Sequence, residues 1–243
     1  MPVIFSSSSG VKDDGVVFKS NAASFADARD ATSGTTSMNS QRSPLFVGAA
    51  RMAGRGGGIT YTVYRSFMVF DTSSITSTVA SAELSIRGYD SNDGSIIAVK
   101  STAFGGDGGT ALAAGDFDAI TGWSAGSSLA GSATVYGAQI LTSSWSLSGY
   151  NDFTATSDLL SDMKNNDVVI ICFMDYTNDY LNSALTSNAF LNCGGYYAEH
   201  STLKPHIDYT LAGYANNVKG VAAANIAKVN GVATANISKV NGI

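Results

Sequence analysis

The sequence predicts an all-β protein, an antiparallel two-sheet sandwich with one short helix and an extended C-terminal arm. Three observations carry this. Short apolar runs are separated by clusters of Gly, Ser, Asn and Asp, the punctuation of strands and turns. Strands do not alternate with helical patterns, which argues against a parallel α/β sheet. Charged residues are 14% and apolar residues 44% of the 243-residue chain, with aromatics at 10%, so the composition is that of a packed core.

The elements follow in order. Val3 to Phe5 and Val16 to Phe18 are short strand-like runs. A polar, small-residue stretch then leads to Gly54-Arg55-Gly56-Gly57-Gly58. A phosphate loop needs its glycines before a helix, and here a strand follows, so the cluster is read as a flexible loop. Ile59 to Phe70 is the strongest strand. Tyr61, Val63, Arg65, Phe67 and Val69 share one face, Thr62, Tyr64, Ser66, Met68 and Phe70 the other. Both faces turn apolar after Ser66, as in a strand entering a covered core. Asp71-Thr72-Ser73-Ser74 is a turn. Ala82, Leu84 and Ile86 alternate with Glu83, Ser85 and Arg87, a half-buried strand, and Ile96 to Val99 is the next.

Residues 101 to 133 form a long loop anchored by Phe104, Phe117, Ile120 and Trp123, and Val135 to Leu141 is a strand. Thr156 to Asn165 is the one helix expected, capped by Thr156 or Ser157 with Leu159, Leu160 and Met163 on one face. Val168 to Met174 is a β-branched run suited to a central strand. Ala189 to Leu191 and Ile207 to Tyr209 are the last strands, the latter opened by Pro205.

Composition and charge narrow the function classes. The net charge is −5, but residues 214 to 243 hold Lys219, Lys228 and Lys239 and no acid, which leaves −8 on the remainder. An acidic body argues against nucleic-acid binding, and the arm is too sparse in lysine to supply it. The longest apolar run is seven residues, short of a membrane span. The N-terminus lacks a basic segment followed by an apolar one, so no secretory signal is expected. Cys172 and Cys193 are too few for a disulfide framework, and Cys172 is expected as a buried thiol.

The most specific feature is a repeat. Gly220 to Asn230 (Gly-Val-Ala-Ala-Ala-Asn-Ile-Ala-Lys-Val-Asn) recurs at Gly231 to Asn241 with nine of eleven positions identical, and Gly242-Ile243 opens a third unit. An eleven-residue period can mean a right-handed coiled coil, but Val221, Ile226, Val229 and Val232 are not spaced three and four apart. Gly in each unit also costs a helix about 1 kcal/mol. Asn230-Gly231 and Asn241-Gly242 instead favour type I′ turns. The arm is read as very short strands joined by tight turns, with Val221, Ile226, Val229, Val232, Ile237 and Val240 as apolar positions. Such units bury too little to fold alone, so the arm is expected to order against a partner surface.

Few residues suggest chemistry. His200 and His206 flank Lys204-Pro205 with no nucleophile or ligand set at suitable spacing. Asp116 and Asp118 are a carboxylate pair, yet no residues can be given catalytic roles, and the chain is expected not to be an enzyme. Asp90, Asn92 and Asp93 before Gly94 resemble a calcium loop without its distal glutamate and equally suit a hairpin turn. Trp123, Tyr176, Tyr180, Tyr196 and Tyr197, with Trp145, are either a sugar-stacking platform or core and loop anchors.

Arg65-Ser66-Phe67-Met68-Val69-Phe70-Asp71-Thr72-Ser73-Ser74-Ile75, followed by Ala80-Ser81-Ala82-Glu83-Leu84-Ser85-Ile86, resembles the R-S-x-L-x-F-D-x-S-S-I signature of DNRLRE-type jelly-roll modules. Leu203 to Thr210 looks like their closing strand, with His206 and Asp208 departing from its usual pattern. The resemblance spans residues 1 to 211, and its specific motifs cover about a sixth of that. The tail repeat resembles repeats at the ends of tailed-phage virion proteins. Together these resemblances imply a jelly-roll body over 1–211 and an assembly arm over 212–243. They imply a virion component made in the host cytoplasm: a capsid decoration, head-fibre or tail-fibre protein. Its partners would be its own copies, by analogy a trimer, and other virion proteins. A carbohydrate-binding module contacting surface glycans is the alternative that the same resemblance allows.

Overall fold

The computed structural model describes residues 2–7, 14–38, 45–54, 56–198, 200–212, 228–229 and 232–233. The strands are β1 (Val3–Phe5), β2 (Gly15–Ala22), β3 (Thr35–Met38), β4 (Leu45–Ala53), β5 (Ile59–Asp71), β6 (Val79–Asn92), β7 (Ser95–Lys100), β8 (Val135–Leu141), β9 (Tyr150–Thr154), β10 (Val168–Asp175), β11 (Ala189–Gly195) and β12 (His206–Leu211). Two further strands, β13 (Lys228–Val229) and β14 (Val232–Ala233), form a separate pair.

The all-β antiparallel class is as expected. The pairings join β1 to β12 in one continuous path rather than in two separate jelly-roll sheets. The path is continuous because two long strands change partners along their length. β5 pairs with β4 over residues 59–64 and with β10 over 66–71. β6 pairs with β12 and β9 in its first half and with β11 beyond Gly88.

The helix expected at 156–165 is α2 (Ser157–Asn165), with the Thr156 hydroxyl accepting from Leu159 N–H. It is not the sole helix. A five-residue helix, α1 (Phe25–Arg29), is capped by Ser24, whose hydroxyl accepts from Asp27 N–H. It is too short for a periodic signal, and its helical state comes from burying Phe25, Ala28 and Arg29.

Alternation places the core on both faces of the central strands. Met68, Phe70, Val169, Ile171, Phe173, Ile96 and Ala98 pack with Leu84, Ile86, Phe153 and Ile207 of the strands opposite and with Leu159 and Met163 of α2. The other face carries Val63, Phe67, Val69, Ile97, Val99, Ile170, Cys172 and Met174. That face is covered by α1 and the 101–133 segment through Phe25, Phe104, Leu112, Phe117, Ile120 and Leu129. Double coverage explains why Val168–Asp175 lacks a polar side. Cys172 and Cys193 are both buried free thiols, one in each apolar cluster. Among the described residues, no helix is long and apolar enough to cross a membrane.

Candidate interaction groove

A groove of about 800 Å³ lies where three turns meet the ends of β7 and β10. Its floor is Lys100, Ser101, Thr102, Val168 and Ile170, with Tyr136 below. Its walls are Asp71 and Ser73 at the end of β5, Gly106 and Asp107 of a 3₁₀ turn, and Asn165 to Asp167 from the end of α2 towards β10.

The walls are tied together by local polar chemistry. Thr72 donates its N–H to Asp167 O (2.8 Å) and its hydroxyl to Asn166 O (2.6 Å), which fastens the first wall to the third. The Asp71 carboxylate accepts from both the N–H and the hydroxyl of Ser73. Asp107 closes its own turn by accepting from Gly109 N–H. Below the floor, Asp162 of α2 accepts from Lys100 Nζ (2.8 Å), from the Tyr136 hydroxyl and from Asn166 Nδ2 (3.0 Å). Burial pushes the Asp162 carboxyl up, but these donors outweigh it and hold it below the usual range. Burial first, then the bond to Asp162, pushes the Tyr136 phenol far up. Lys100 therefore has its charge matched locally. The sign of the groove is set by the exposed Asp71, Asp107 and Asp167.

The aromatic residues singled out in the sequence do not gather here, nor into one platform. Trp123 stacks beneath two guanidinium groups, 4.2 Å from Arg65 and 4.7 Å from Arg29. Arg65 is fully buried between the Trp123 and Phe117 rings. It makes a two-pronged pair with Asp179 at 2.7 Å and donates to the carbonyls of Phe117 and Arg29. Trp123 is thus a structural plug. Tyr176 and Tyr180 stack on each other beside it, with Tyr180 buried. Trp145 is a core residue whose indole N–H donates to Gly194 O.

Tyr196 and Tyr197 lie elsewhere, packed edge-on against His200 at 4.8 and 5.8 Å. Tyr196 also meets Tyr89 (5.3 Å), which is 51% exposed and carried no signal in the sequence beyond its place in a strand.

The candidate calcium residues are drawn into strand pairing. Asp90 and Asn92 belong to β6. Asp90 accepts from Asn192 Nδ2, and Asn92 donates to Phe190 O. Asp93 takes a left-handed φ of 45° at the turn into β7. Among the described residues no three His, Cys, Asp or Glu side chains gather as a metal site. Asp116 caps its own turn, accepting from Ala113 and Phe104 N–H.

In the arm, Val229 pairs with Val232 and Lys228 with Ala233. The pairing brackets Asn230 and Gly231, where the repeat predicts a tight turn. Val221, Ile226, Asn230, Gly231, Ile237, Val240, Asn241 and Gly242 lie outside the described residues.

The groove itself was missed by sequence reasoning. Its residues come from four separate stretches of chain, and the only local signals were the Asp71 to Ser74 turn and the end of the 156–165 helix. No family model matches the chain, and no curated protein matches it.

Proposed function

We propose that this protein is a non-enzymatic structural component of an assembled particle, of the kind a phage virion is built from, whose body is joined to neighbours through its C-terminal arm. The observation that carries the reading is the β13–β14 pair. A hairpin with two-residue strands is far below the size that holds together in water, so an arm built from repeats of it requires a surface to fold against. The resemblance of the body to jelly-roll modules, and of the tail to virion-protein repeats, supports the same reading. Removal of residues 214–243 tests it. The truncated body is expected to keep its β circular-dichroism spectrum and to run as a monomer by light scattering, while the full chain is oligomeric. A truncated body that assembles like the full chain would sink the proposal.

A second reading, glycan binding, is favoured by the meeting of the exposed Tyr89 with the half-buried Tyr196, Tyr197 and His200, since an exposed ring offers a face for sugar stacking. It is judged by a glycan array with the wild type and the Tyr89→Ala/Tyr196→Ala variant. Signals that the variant retains rule this surface out.

A further inference from the structure

We infer that the groove between the 71–73, 106–107 and 165–167 turns is the receptor for the lysine-bearing C-terminal arm of a neighbouring copy. This inference rests on the assembly reading and names the surface which that reading lacks.

Charge is the first argument. The arm carries Lys219, Lys228 and Lys239 without any acid, against a body at −8. The groove presents Asp71, Asp107 and Asp167, all exposed, with Asp71 already engaged by Ser73, while Lys100, its cation among the described residues, is matched by Asp162. A chain segment that is positive throughout its length is therefore complementary to this concavity.

Place is the second argument. β12 ends at Leu211, paired with Val79, and Ala212 donates its N–H to Thr78 O (2.7 Å). Thr78 closes the same β5–β6 turn whose first residues, Asp71 and Ser73, form a groove wall. The arm therefore leaves the body from the connection whose other end lines the groove. Asp71 and Thr78 are seven residues apart, and so are Ala212 and Lys219; either stretch spans at most about 25 Å. Where two or three bodies meet at this end, each arm crosses into a neighbour's groove with little chain to spare, and the exchange is reciprocal.

Shape is the third. Two of the walls, 71–73 and 165–167, are fastened to one another through Thr72, Asn166 and Asp167, so this side of the groove is formed before anything enters it. An arm that must lose conformational freedom binds best to a surface that has none to lose.

The test uses the full-length chain. Equal amounts of ¹⁵N-labelled and unlabelled protein are mixed, dissociated, reassembled and treated with a carbodiimide, which joins a carboxylate to an amine in direct contact. Peptide mass spectrometry is expected to find mixed-isotope links from Lys219, Lys228 or Lys239 to Asp71, Asp107 or Asp167. The Asp71→Asn/Asp107→Asn/Asp167→Asn variant is expected to weaken association roughly tenfold or more, as is the Lys219→Gln/Lys228→Gln/Lys239→Gln variant, whose body is untouched. Links confined to a single isotope, links to other carboxylates only, or undiminished association in the lysine variant each overturn the inference. Should arm deletion abolish assembly while both neutralised variants assemble normally, the arm's role stands and the groove is the wrong receptor. A full chain that is itself monomeric removes the assembly reading and this inference together.

Discussion

Arg65 is an ionised side chain with no solvent exposure, held by Asp179 on one side and by two aromatic rings above and below. Alternation in the sequence places it correctly on the face of Val63 and Phe67. Nothing there points to Asp179, 114 positions away, or to the stacking rings contributed by the 101–133 segment. Arg65 fastens the irregular layer to the central strands through Asp179 and the Phe117 and Trp123 rings. Removing one member of a buried pair costs about 3–5 kcal/mol when the other charge is left without compensation. Arg65→Met is expected to lower the urea unfolding free energy by an amount at or below that figure, because Arg29 remains 3.6 Å from the Asp179 carboxylate.

At the scale of elements, legibility followed periodicity and length. The strands at Val135–Leu141 and Val168–Asp175 were visible because apolar residues dominate them. β4 and β9 were not. β4 is diluted by Gly48, Arg51 and three alanines, and β9 places Asn151 and Asp152 in mid-strand. Asn151 faces inward because its amide group closes a loop: it accepts from Ser146 N–H and donates to the Ser146 and Ile86 carbonyls. That loop presses on β6 at Gly88, where a Cβ would stand 2.1 Å from the Ser146 oxygen. Gly88 is also where β6 exchanges its partners, so a side chain there collides at the one point that neither neighbour can vacate. Gly88→Ala is expected to cost about 1–3 kcal/mol, measurable as a lowered melting temperature with unchanged oligomeric state.

For the whole molecule, stability against pH is the property to measure, because one buried carboxylate has an opposite sign to the usual case. Burial, reinforced by the nearby Asp179 charge, pushes Asp175 up to about 6 from 3.8, against the pull of the Asn178 and Ser95 N–H groups it accepts from. The folded state then holds a proton that the unfolded chain has released, so stability falls as pH rises from about 4 to about 6. Asp162, held low, acts in the other direction and only below its ordinary value. Relative to Asp175→Asn, the wild type is expected to gain of order 2–3 kcal/mol in unfolding free energy between pH 7 and pH 4. A constant difference across that range would count against a raised Asp175 pKa in the folded state. The groove shows the limit of sequence reading at the same scale. Turns are legible one at a time, but their convergence is a product of the fold.

β12 lies between β1 and β6, so the first and last strands of the body are neighbours, with Tyr209 donating its N–H to the Pro2 carbonyl. During synthesis β1 precedes β12 by most of the body, and its ladder partner exists only once residue 211 has been made. The flank of β6 at residues 79–85 stands open for the same interval. A single late strand therefore closes two edges at once, and a chain stopped short of it would expose both to pairing with another molecule.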